Sequence, residues 1–321
     1  MRHPPIEPYD SGLLEVGDGN RVYWETSGNP DGKPALVVHG GPGTGSRPGP
    51  RRSFDPARYR IVQFDQRGCG QSLPPASDPA TDMSVNTTAR LVRDMERLRE
   101  HLDVDRWLLF GGSWGSTLSL VYAEQHPERV SEIVLIGVTT GRQSELDWLY
   151  RDVGRFFPEA WEQFRDALPT SDRDGDLVAA YARRMEHPDR AVREAAAAAW
   201  CAWEDAVLSQ EEYGSASPYS GRVDDARLTF VRICSHYFAN RCWLEDDQVF
   251  RDVGRLAAIP GVLLHGRLDL SGPAGHAWAL HRAWPGSELT IFPGSGHKGS
   301  EAMGDALLEA IDRFSVGRCR T

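Results

Sequence analysis

The sequence predicts an α/β fold with a mostly parallel central sheet and an inserted helical cap domain. Three observations indicate this. Short apolar strands alternate with helical segments over residues 20–138, the same alternation resumes after residue 259, and strand signals are missing in between. With 321 residues, 40% of them hydrophobic, the chain can bury one large core and carry an insertion. We therefore expect an α/β core in residues 1–139 and 256–321, and a helical cap in residues 140–255.

Each predicted strand of the core is a short apolar run bounded by turn residues. In chain order, these runs are RVYWETSG, ALVVHGG, RIVQFDQRG, WLLFGGS, EIVLIGV, GVLLHGRLD and ELTIF. The predicted core helices are TTARLVRDMERLREHL, a segment after Ser113, a segment containing WALHRAW, and EAMGDALLEAIDRF. The insertion is rich in tryptophan and charge. Its stretch AVREAAAAAWCAWEDAV predicts a helix because alanine is the strongest helix former.

A serine flanked by glycines is the candidate nucleophile. The stretch GGSWG follows an apolar strand and precedes a helical segment. In a G-x-S-x-G turn the flanking glycines, here Gly111 and Gly115, let strand and helix approach closely, so that Ser113 projects its hydroxyl over the end of the sheet. The helix N-terminus behind it offers free N–H groups to a developing oxyanion. The five-residue pattern alone also arises by chance, but the flanking strand and helix favour the catalytic interpretation.

Two further residues follow buried strands, where a catalytic base and its carboxylate belong. Asp269 comes directly after GVLLHGRL, and His297 comes after ELTIFPGSG. A serine nucleophile needs a base to accept its proton and a carboxylate to orient that base. The order Ser113, Asp269, His297 is the one expected of this strand–turn–helix architecture. Each residue alone could be an ordinary loop residue, but their joint placement predicts a triad in which His297 lies within hydrogen-bond reach of both others.

The glycine-rich stretch HGGPG follows the strand ALVV and supplies the candidate oxyanion hole. We assign the hole to the backbone amides of Gly41 and Trp114. A phosphate-binding loop is the competing interpretation of GGPGTGS, but no Gly-Lys-Ser/Thr follows it. The stretch DQRGCGQS predicts a tight loop at the same end of the sheet, in which Asp65 and Arg67 hold loops together rather than act on substrate.

Composition excludes several classes of partner. A net charge of −10 argues against nucleic acid, because binding to phosphates needs a basic surface. We expect a cytoplasmic protein without a membrane span, since no apolar stretch is long enough and the N-terminus has no hydrophobic signal region. An odd number of cysteines, five, fits reduced thiols. Cys201, Cys234, His236 and Cys242 match no zinc spacing, so we expect no metal and no other cofactor. The expected partner is a small-molecule or short-peptide substrate, and nothing in the sequence fixes the oligomeric state.

These motifs together resemble those of a known enzyme family. In chain order HGGPG, FDQRGCGQS, FGGSWGSTLSLVYAEQHPERV, WCAWEDA, HGRLD and GSGH are similar to the prolyl aminopeptidase (proline iminopeptidase) family of α/β-hydrolases. The similarity runs nearly end to end. It implies an α/β-hydrolase fold with a cap, a triad that removes an N-terminal proline through an acyl-enzyme, and acidic cap residues that bind the free imino group. It also implies one such carboxylate at Glu204 and a substrate pocket that includes Thr139, Cys234 and Phe238.

Three positions depart from the family pattern. The family usually carries a second glutamate where this chain has Cys234, and an aromatic pocket residue where it has Thr139. Lys298 stands beside His297 in place of small apolar or aromatic residues. It is either a solvated loop charge or a pocket residue that disfavours a cationic N-terminus. A charge-assisted hydrogen bond contributes about 1.5–3 kcal/mol, so losing one of two carboxylates weakens recognition of the amine.

Three functions follow from this pattern. The first is an aminopeptidase that releases proline or another small N-terminal residue. The second is a family member recruited to a non-peptide substrate, such as an ester, amide or lactone, or to a bond-forming step on a specialised metabolite. The third, a binding protein on a hydrolase scaffold, is disfavoured because all three triad members are present.

Overall fold

A central eight-stranded sheet organises the computed structural model, which describes residues 2–315. The strands are β1 Asp10–Gly17, β2 Asn20–Gly28, β3 Lys33–Val38, β4 Tyr59–Phe64, β5 Trp107–Ser113, β6 Val130–Val138, β7 Gly261–Gly266 and β8 Ser287–Phe292. Their spatial order is β1-β2-β4-β3-β5-β6-β7-β8. The pairs β1–β2 and β2–β4 are antiparallel, and every other pair is parallel. The carboxyl ends of the parallel strands therefore meet at one edge of the sheet, as the sequence predicts.

The sequence did not predict strand β1, because the predicted alternation of strands and helices begins only at residue 20. It lies at the edge of the sheet and pairs only with β2. Of its eight residues only Val16 is buried. A strand is recognised in a sequence by the alternation of apolar and polar residues. Because an edge strand buries little surface, its alternation is weak and the strand is missed.

Ten α-helices accompany the sheet in the described part of the chain. They are α1 Thr88–His101, α2 Trp114–Gln125, α3 Gln143–Tyr150, α4 Pro158–Asp166, α5 Leu177–Met185, α6 Arg190–Val207, α7 Asp224–Ala239, α8 Gln248–Asp252, α9 Gly275–Ala283 and α10 Glu301–Ser315. The last of these ends where the described residues end. No helix within residues 2–315 combines the length and the apolar character that a membrane crossing requires.

Helices α3 to α8 lie between β6 and β7 in the chain, and we call residues 143–256 the helical insertion. The insertion has a hydrophobic cluster of its own, rich in aromatic rings. Phe164 and Tyr181 stack with their ring centroids 4.4 Å apart, and Trp200 and Trp203 are fully buried beside them. Stacked and edge-on aromatic pairs add to the free energy gained by burying the rings, so the insertion is a packed unit above the sheet.

The loop after β4 holds several core loops together, as expected for its aspartate and arginine. The carboxylate of Asp65 accepts hydrogen bonds from the backbone amides of Ser46 and Gln71, at 2.6 and 2.7 Å. The buried guanidinium of Arg67 pairs with Asp94 on α1, with Nε 2.6 Å from Oδ2. A buried pair that is hydrogen-bonded at both oxygens fixes geometry, and here it fixes the loops next to the nucleophile turn.

Candidate active site

The candidate nucleophile lies on a strained turn between β5 and α2. Ser113 ends the strand with φ 54° and ψ −128°, a positive-φ conformation that side-chain-bearing residues adopt rarely. The flanking glycines allow the close approach that the sequence predicts. A Cβ atom at Gly111 would overlap the carbonyl oxygen of Gly115, and a Cβ atom at Gly115 would overlap that of Val38. The start of α2 thus lies too close to β5 and to the end of β3 for a larger residue at these two positions.

His297 and Asp269 are paired in the loops that follow β8 and β7. His297 Nδ1 lies 2.8 Å from Asp269 Oδ2, and Oδ1 accepts the backbone amides of Ser271 and Gly272 at 3.0 and 2.9 Å. Burial opposes the charge on both groups, but their mutual attraction prevails, so the pKa of Asp269 is lowered and the pKa of His297 is raised. In the neutral ring the contact with Asp269 places the proton on Nδ1, and Nε2 is then the acceptor.

Ser113 and His297 line the same cavity. Within residues 2–315 no hydrogen bond joins them, so of the two bonds expected for His297 only the one to Asp269 is formed. Nucleophile and base are often too far apart for a hydrogen bond in unliganded active sites, and they approach when substrate binds. The Oγ atom of Ser113 has no competing partner in the described chain.

The amides assigned to the oxyanion hole border the same cavity. Gly41 has φ 114°, which glycine adopts readily, and both Gly41 and Trp114 line the cavity beside Ser113. Neither backbone amide donates to another group within residues 2–315. The indole Nε1 of Trp114 donates to Gln66 Oε1 at 2.9 Å, which fixes the first residue of α2. The two amides are thus available to an oxyanion, and their role remains a prediction.

The cavity lies between the sheet edge and the helical insertion. It encloses about 690 Å³, including the part open to solvent. Most of its wall is apolar or aromatic, and the residues that form this part are Trp114, Leu146, Leu149, Tyr219 and Phe238. Two carboxylates also reach the wall, Glu145 and Glu204. Glu145 is engaged by the backbone amides of Thr140 and Gly141, which leaves Glu204 as the carboxylate available to a ligand.

Glu204 on α6 is held by two hydrogen bonds to a single oxygen. Its Oε1 accepts from Tyr150 Oη at 2.8 Å and from Trp200 Nε1 at 2.7 Å. Burial raises the pKa of Glu204 to about 7, although these two bonds favour the ionised form. The other oxygen, Oε2, accepts no hydrogen bond in the described chain. A cation that enters the cavity can therefore pair with Oε2.

Both Thr139 and Cys234 are expected in the substrate pocket, but only Thr139 lines the cavity. Thr139 lines the cavity, and its Oγ1 donates to the carbonyl oxygen of Ser113 at 2.9 Å, with Thr117 Oγ1 2.8 Å away. It thus supports the nucleophile turn. Cys234 does not reach the cavity, because it is fully buried on α7 and its Sγ donates to the carbonyl oxygen of Pro42 at 3.0 Å.

Lys298 also lies outside this cavity. Its ammonium donates to the backbone carbonyls of Glu211 and Ser215, at 2.5 and 3.3 Å. The carboxylate of Glu211 accepts the backbone amides of both His297 and Lys298, at 2.8 and 2.6 Å. Glu211 follows α6 in the helical insertion, and no motif in the sequence marks it as part of the site. Glu211 holds the loop of the candidate base, and it is the main residue of the candidate site that the sequence did not reveal.

His265 on β7 supports the loop that carries Asp269. The backbone amide of Val138 donates to His265 Nδ1 at 3.0 Å, so the ring proton is on Nε2, which donates to the carbonyl oxygen of Gly272 at 2.8 Å. Burial lowers the pKa of His265 and keeps the ring neutral. The motif HGRLD contains this histidine, but the motif alone does not show that His265 bonds to Val138 and Gly272 and so holds the loop of Asp269.

Sequence comparisons relate the chain to a family and to named enzymes. The alpha/beta hydrolase fold family matches residues 33–301. The chain is 53% identical over 319 residues to a probable proline iminopeptidase of Streptomyces coelicolor, with 98% of each chain covered. It is 47% identical over 320 residues to the proline iminopeptidase of Xanthomonas citri, with 98% of this chain and 99% of that one covered. These matches extend over the whole site described above.

Solved structures share the fold at lower sequence identity. The proline iminopeptidase-related protein of Thermus thermophilus superposes with a TM-score of 0.57 at 22% identity, covering 94% of this chain and 97% of that one. A hydrolase of Pseudomonas aeruginosa superposes with a TM-score of 0.59 at 17% identity, covering 96% of this chain and 99% of that one. With the family match, these similarities confirm the predicted α/β-hydrolase fold.

Proposed function

The chain belongs to the proline iminopeptidase family of α/β-hydrolases, and from this premise we propose that it releases N-terminal proline, or another small residue, from short peptides. The observation that carries the proposal is the position of Glu204. This buried carboxylate lies in the wall of the cavity that also contains Ser113 and His297. An aminopeptidase needs an anion near its nucleophile, because the substrate has a cationic amine close to the scissile bond.

The chemistry uses three side chains in sequence. Ser113 Oγ attacks the carbonyl carbon of the N-terminal residue while His297 Nε2 takes the hydroxyl proton. His297 then gives this proton to the leaving amine, and an acyl-enzyme remains. A water molecule, deprotonated by His297, then attacks the acyl carbon. The bond to Ser113 Oγ breaks, Oγ takes the proton back from His297, and the amino acid is released. Asp269 keeps the imidazole in the required tautomer and stabilises its charged form.

The oxyanion of each tetrahedral intermediate is stabilised by the backbone amides of Gly41 and Trp114. These amides have no other acceptor in the described chain, so they need not exchange partners when the negative charge develops. Preorganised donors of this kind contribute about 3 kcal/mol each to transition-state stabilisation. No cofactor takes part in these steps.

Substrate recognition combines one charge with an apolar pocket. Glu204 Oε2 pairs with the substrate amine, and the apolar and aromatic residues of the cavity surround the pyrrolidine ring. Thr139 supplies no aromatic wall, but Trp114, Tyr219 and Phe238 provide aromatic surface in the same cavity. In the proposal the helical insertion is the cap that closes over this pocket, with boundaries near residues 140 and 255. A cytoplasmic location is part of the proposal and rests on the cysteine content of the sequence.

A non-peptide substrate is the second candidate. The observation that favours it is the neutral, fully buried thiol of Cys234 at a position where the family usually has a second glutamate. With a single carboxylate, the site attracts an amine less strongly than a site with two. A neutral ester, amide or lactone needs no such attraction, and the same nucleophile and oxyanion hole would act on it.

A panel of chromogenic substrates tests the proposal. We expect hydrolysis of Pro-arylamide with kcat/KM on the order of 10⁴ M⁻¹s⁻¹ or higher, slower hydrolysis of Ala-arylamide, and a loss of about a hundredfold when the proline nitrogen is acetylated. The acetylated substrate is the matched control because it keeps the ring and the scissile bond but has no cationic amine. Rapid hydrolysis of acyl esters, with Pro-arylamide and its acetylated form equally poor, would support the non-peptide candidate instead.

A further inference from the structure

A second cleft adjoins the candidate catalytic residues. It encloses about 980 Å³, including the part open to solvent. It shares Gly41, Ser113, Tyr219 and His297 with the cavity described above, but Glu204 does not line it. Because Ser113 and His297 border both spaces, the two spaces meet at the candidate catalytic residues, and a substrate that reacts at Ser113 has room to extend into both.

The charge of this second cleft is positive. Arg47, Arg222 and Lys298 line it, and no Asp or Glu is found among its described lining residues. The chain as a whole has a net charge of −10. A local excess of positive charge beside the nucleophile of an acidic protein attracts anionic groups to that side of the reacting bond.

The two arginines have free donors. The side chain of Arg47 is only partly buried and forms no ion pair or hydrogen bond within residues 2–315. Arg222 also has no carboxylate partner there. Its Nη1 donates to the carbonyl oxygen of Pro218 at 2.6 Å, and its guanidinium lies 4.3 Å from the ring centroid of Phe230. Partial burial and the nearby charge of Arg222 lower the pKa of Arg47, so the two like charges lie near each other. Within residues 2–315 no carboxylate contacts either guanidinium directly, although the charge of Arg222 is felt at Glu204.

Lys298 has a different role from the arginines. Because two backbone carbonyls bind its ammonium, Lys298 adds positive potential to the cleft but few free donors. The guanidinium groups are the part of the cleft that can form new hydrogen bonds. A carboxylate is a suitable ligand, since guanidinium groups bind it in a planar, bidentate geometry.

We propose that Arg47 and Arg222 bind a carboxylate of the peptide on the leaving-group side of the scissile bond. This rests on the proposed function: His297 donates its proton to the leaving amine, so the residues after the scissile bond lie beside His297 in the second cleft. The carboxylate is the C-terminus of a dipeptide or tripeptide, or an acidic side chain next to the scissile bond. A short peptide is a zwitterion, and its amine pairs with Glu204 while its carboxylate pairs with the arginines.

Matched peptides test this inference. Release of proline is measured from Pro-Ala and from Pro-Ala-amide, which lacks the terminal charge, and from Pro-Asp-amide and Pro-Asn-amide, which differ only in the side-chain charge. We expect the charged member of at least one pair to have a kcat/KM at least about fivefold higher at low salt. The pair that shows the difference identifies the source of the carboxylate. The preference should shrink between about 50 mM and about 500 mM NaCl, because the arginines are open to solvent.

Arginine variants extend the test. Arg47→Gln and Arg222→Gln should each reduce the preference to below about twofold. Arg282→Gln, at an exposed arginine of α9 outside the cleft, is the matched control and should keep the wild-type ratio. Equal rates within both peptide pairs, while Pro-arylamide is hydrolysed, would overturn the carboxylate subsite and leave the proposed function intact. Failure to hydrolyse Pro-arylamide and all four peptides would overturn both.

Discussion

The carboxylate of Glu211 accepts a hydrogen bond from the backbone amide of His297 at 2.8 Å. Glu211 belongs to the helical insertion, whereas His297 belongs to the α/β core, so the insertion directly holds the loop of the candidate base. The second carboxylate oxygen accepts the amide of Lys298 at 2.6 Å, which completes a two-point attachment. The position of the candidate base therefore depends on a residue outside the core.

Replacing Glu211 by glutamine tests whether this attachment positions His297. The amide of glutamine has one acceptor oxygen where the carboxylate has two, so one of the two backbone bonds is lost. We expect kcat toward Pro-arylamide to fall about tenfold with a smaller change in KM, because the base is displaced while the substrate pocket is kept. The exposed neighbour Glu212→Gln is the control and should retain wild-type kinetics.

The pH profile separates positioning from a general loss of stability. The negative charge of Glu211 is one of the causes that raise the pKa of His297. Removing this charge makes the imidazolium less favourable, so the ascending limb of kcat against pH should move to lower pH in Glu211→Gln. An unshifted limb together with an unchanged kcat would show that Glu211 does not position the base.

Gly296 offers a second way to disturb the same contact. A Cβ atom at Gly296 would overlap the carboxyl group of Glu211, whereas one at Gly294 would meet nothing within 4 Å. The Glu211 side chain can rotate away, so we expect Gly296→Ala to fold but to lose about tenfold in kcat, and Gly294→Ala to resemble the wild type. In a double-mutant cycle, Gly296→Ala should cost little further activity once Glu211 is alanine. Additive losses would indicate that the glycine acts by another route.

The sequence could predict that Ser113, Asp269 and His297 lie at one edge of the sheet but not that Glu211 joins them, and the reason is physical. Ser113, Asp269 and His297 each follow a parallel strand, and the carboxyl ends of such strands necessarily meet at one edge of the sheet. Glu211 reaches His297 from a loop of the insertion, 86 residues away along the chain. Its position depends on how the insertion packs on the core, and no local pattern records that packing.

The expected pocket residues also show that a sequence pattern does not record how side chains pack. Glu204, Thr139 and Phe238 line the cavity as expected, whereas Cys234 and Lys298 do not. A family resemblance assigns positions along a helix or loop, but burial decides which side chain reaches the cavity. The thiol of Cys234 is fully buried and donates to the carbonyl of Pro42, and the ammonium of Lys298 is bound by two carbonyls. The edge strand β1 escaped prediction for a related reason, because it buries almost nothing.

Ser113→Ala should abolish turnover without unfolding the protein. Alanine keeps the Cβ atom, so the strained backbone at φ 54° is no worse for alanine than for serine. We expect a loss on the order of a thousandfold or more in kcat, with an unchanged melting temperature and no labelling by a serine-directed phosphonate. Ser119→Ala removes a hydroxyl whose one hydrogen bond within residues 2–315 goes to the Gly115 carbonyl of α2, and this variant should stay active. A Ser113 variant with more than about a tenth of the wild-type rate would exclude Ser113 as the nucleophile.

The pKa of Glu204 predicts a pH dependence that is specific to substrates with an amine. Only the ionised carboxylate attracts a cationic amine, and burial raises the pKa of Glu204 to about 7. As the pH falls through 7, Glu204 takes up a proton and kcat/KM for Pro-arylamide should decrease. A neutral acyl ester also depends on the ionisation of His297, whose pKa the charge of Glu204 raises, but it has no amine that Glu204 attracts. The ratio of the two profiles therefore isolates the attraction between the carboxylate and the amine. In Glu204→Gln the ratio should be about tenfold to a hundredfold lower at pH 8 and independent of pH near 7. A ratio that still titrates near pH 7 in this variant would assign the ionisation to another group.

Replacing the buried Glu124 by a neutral residue should increase the free energy of unfolding near neutral pH. This glutamate of α2 is 2% exposed, and neither carboxylate oxygen has a hydrogen-bond partner in the described chain. Burial, and secondarily the charge of Asp252, raises the pKa of Glu124 to about 9. The folded protein therefore keeps a proton on Glu124 up to about pH 9, whereas the unfolded chain releases it above about pH 4.5. Between these values the unfolded state binds fewer protons than the folded state. For that reason the free energy of unfolding falls as the pH rises, by up to about 1.4 kcal/mol per pH unit from this group alone.

Glu124→Gln removes this dependence because glutamine has nearly the same shape and is neutral at every pH. The variant should match the wild type within about 1 kcal/mol at pH 5 and exceed it by about 2–4 kcal/mol at pH 8, as measured by urea denaturation at both values. Glu128→Gln is the matched control, since the side chain of Glu128 is 62% exposed and should give a small difference with no trend between the two pH values. A Glu124→Gln advantage that is the same at pH 5 and pH 8 would mean that this carboxyl is not held protonated by burial.

The same variant also tests the packing of α2 behind the candidate nucleophile. If glutamine is accommodated without loss of kcat, the buried carboxyl serves neither catalysis nor stability at neutral pH.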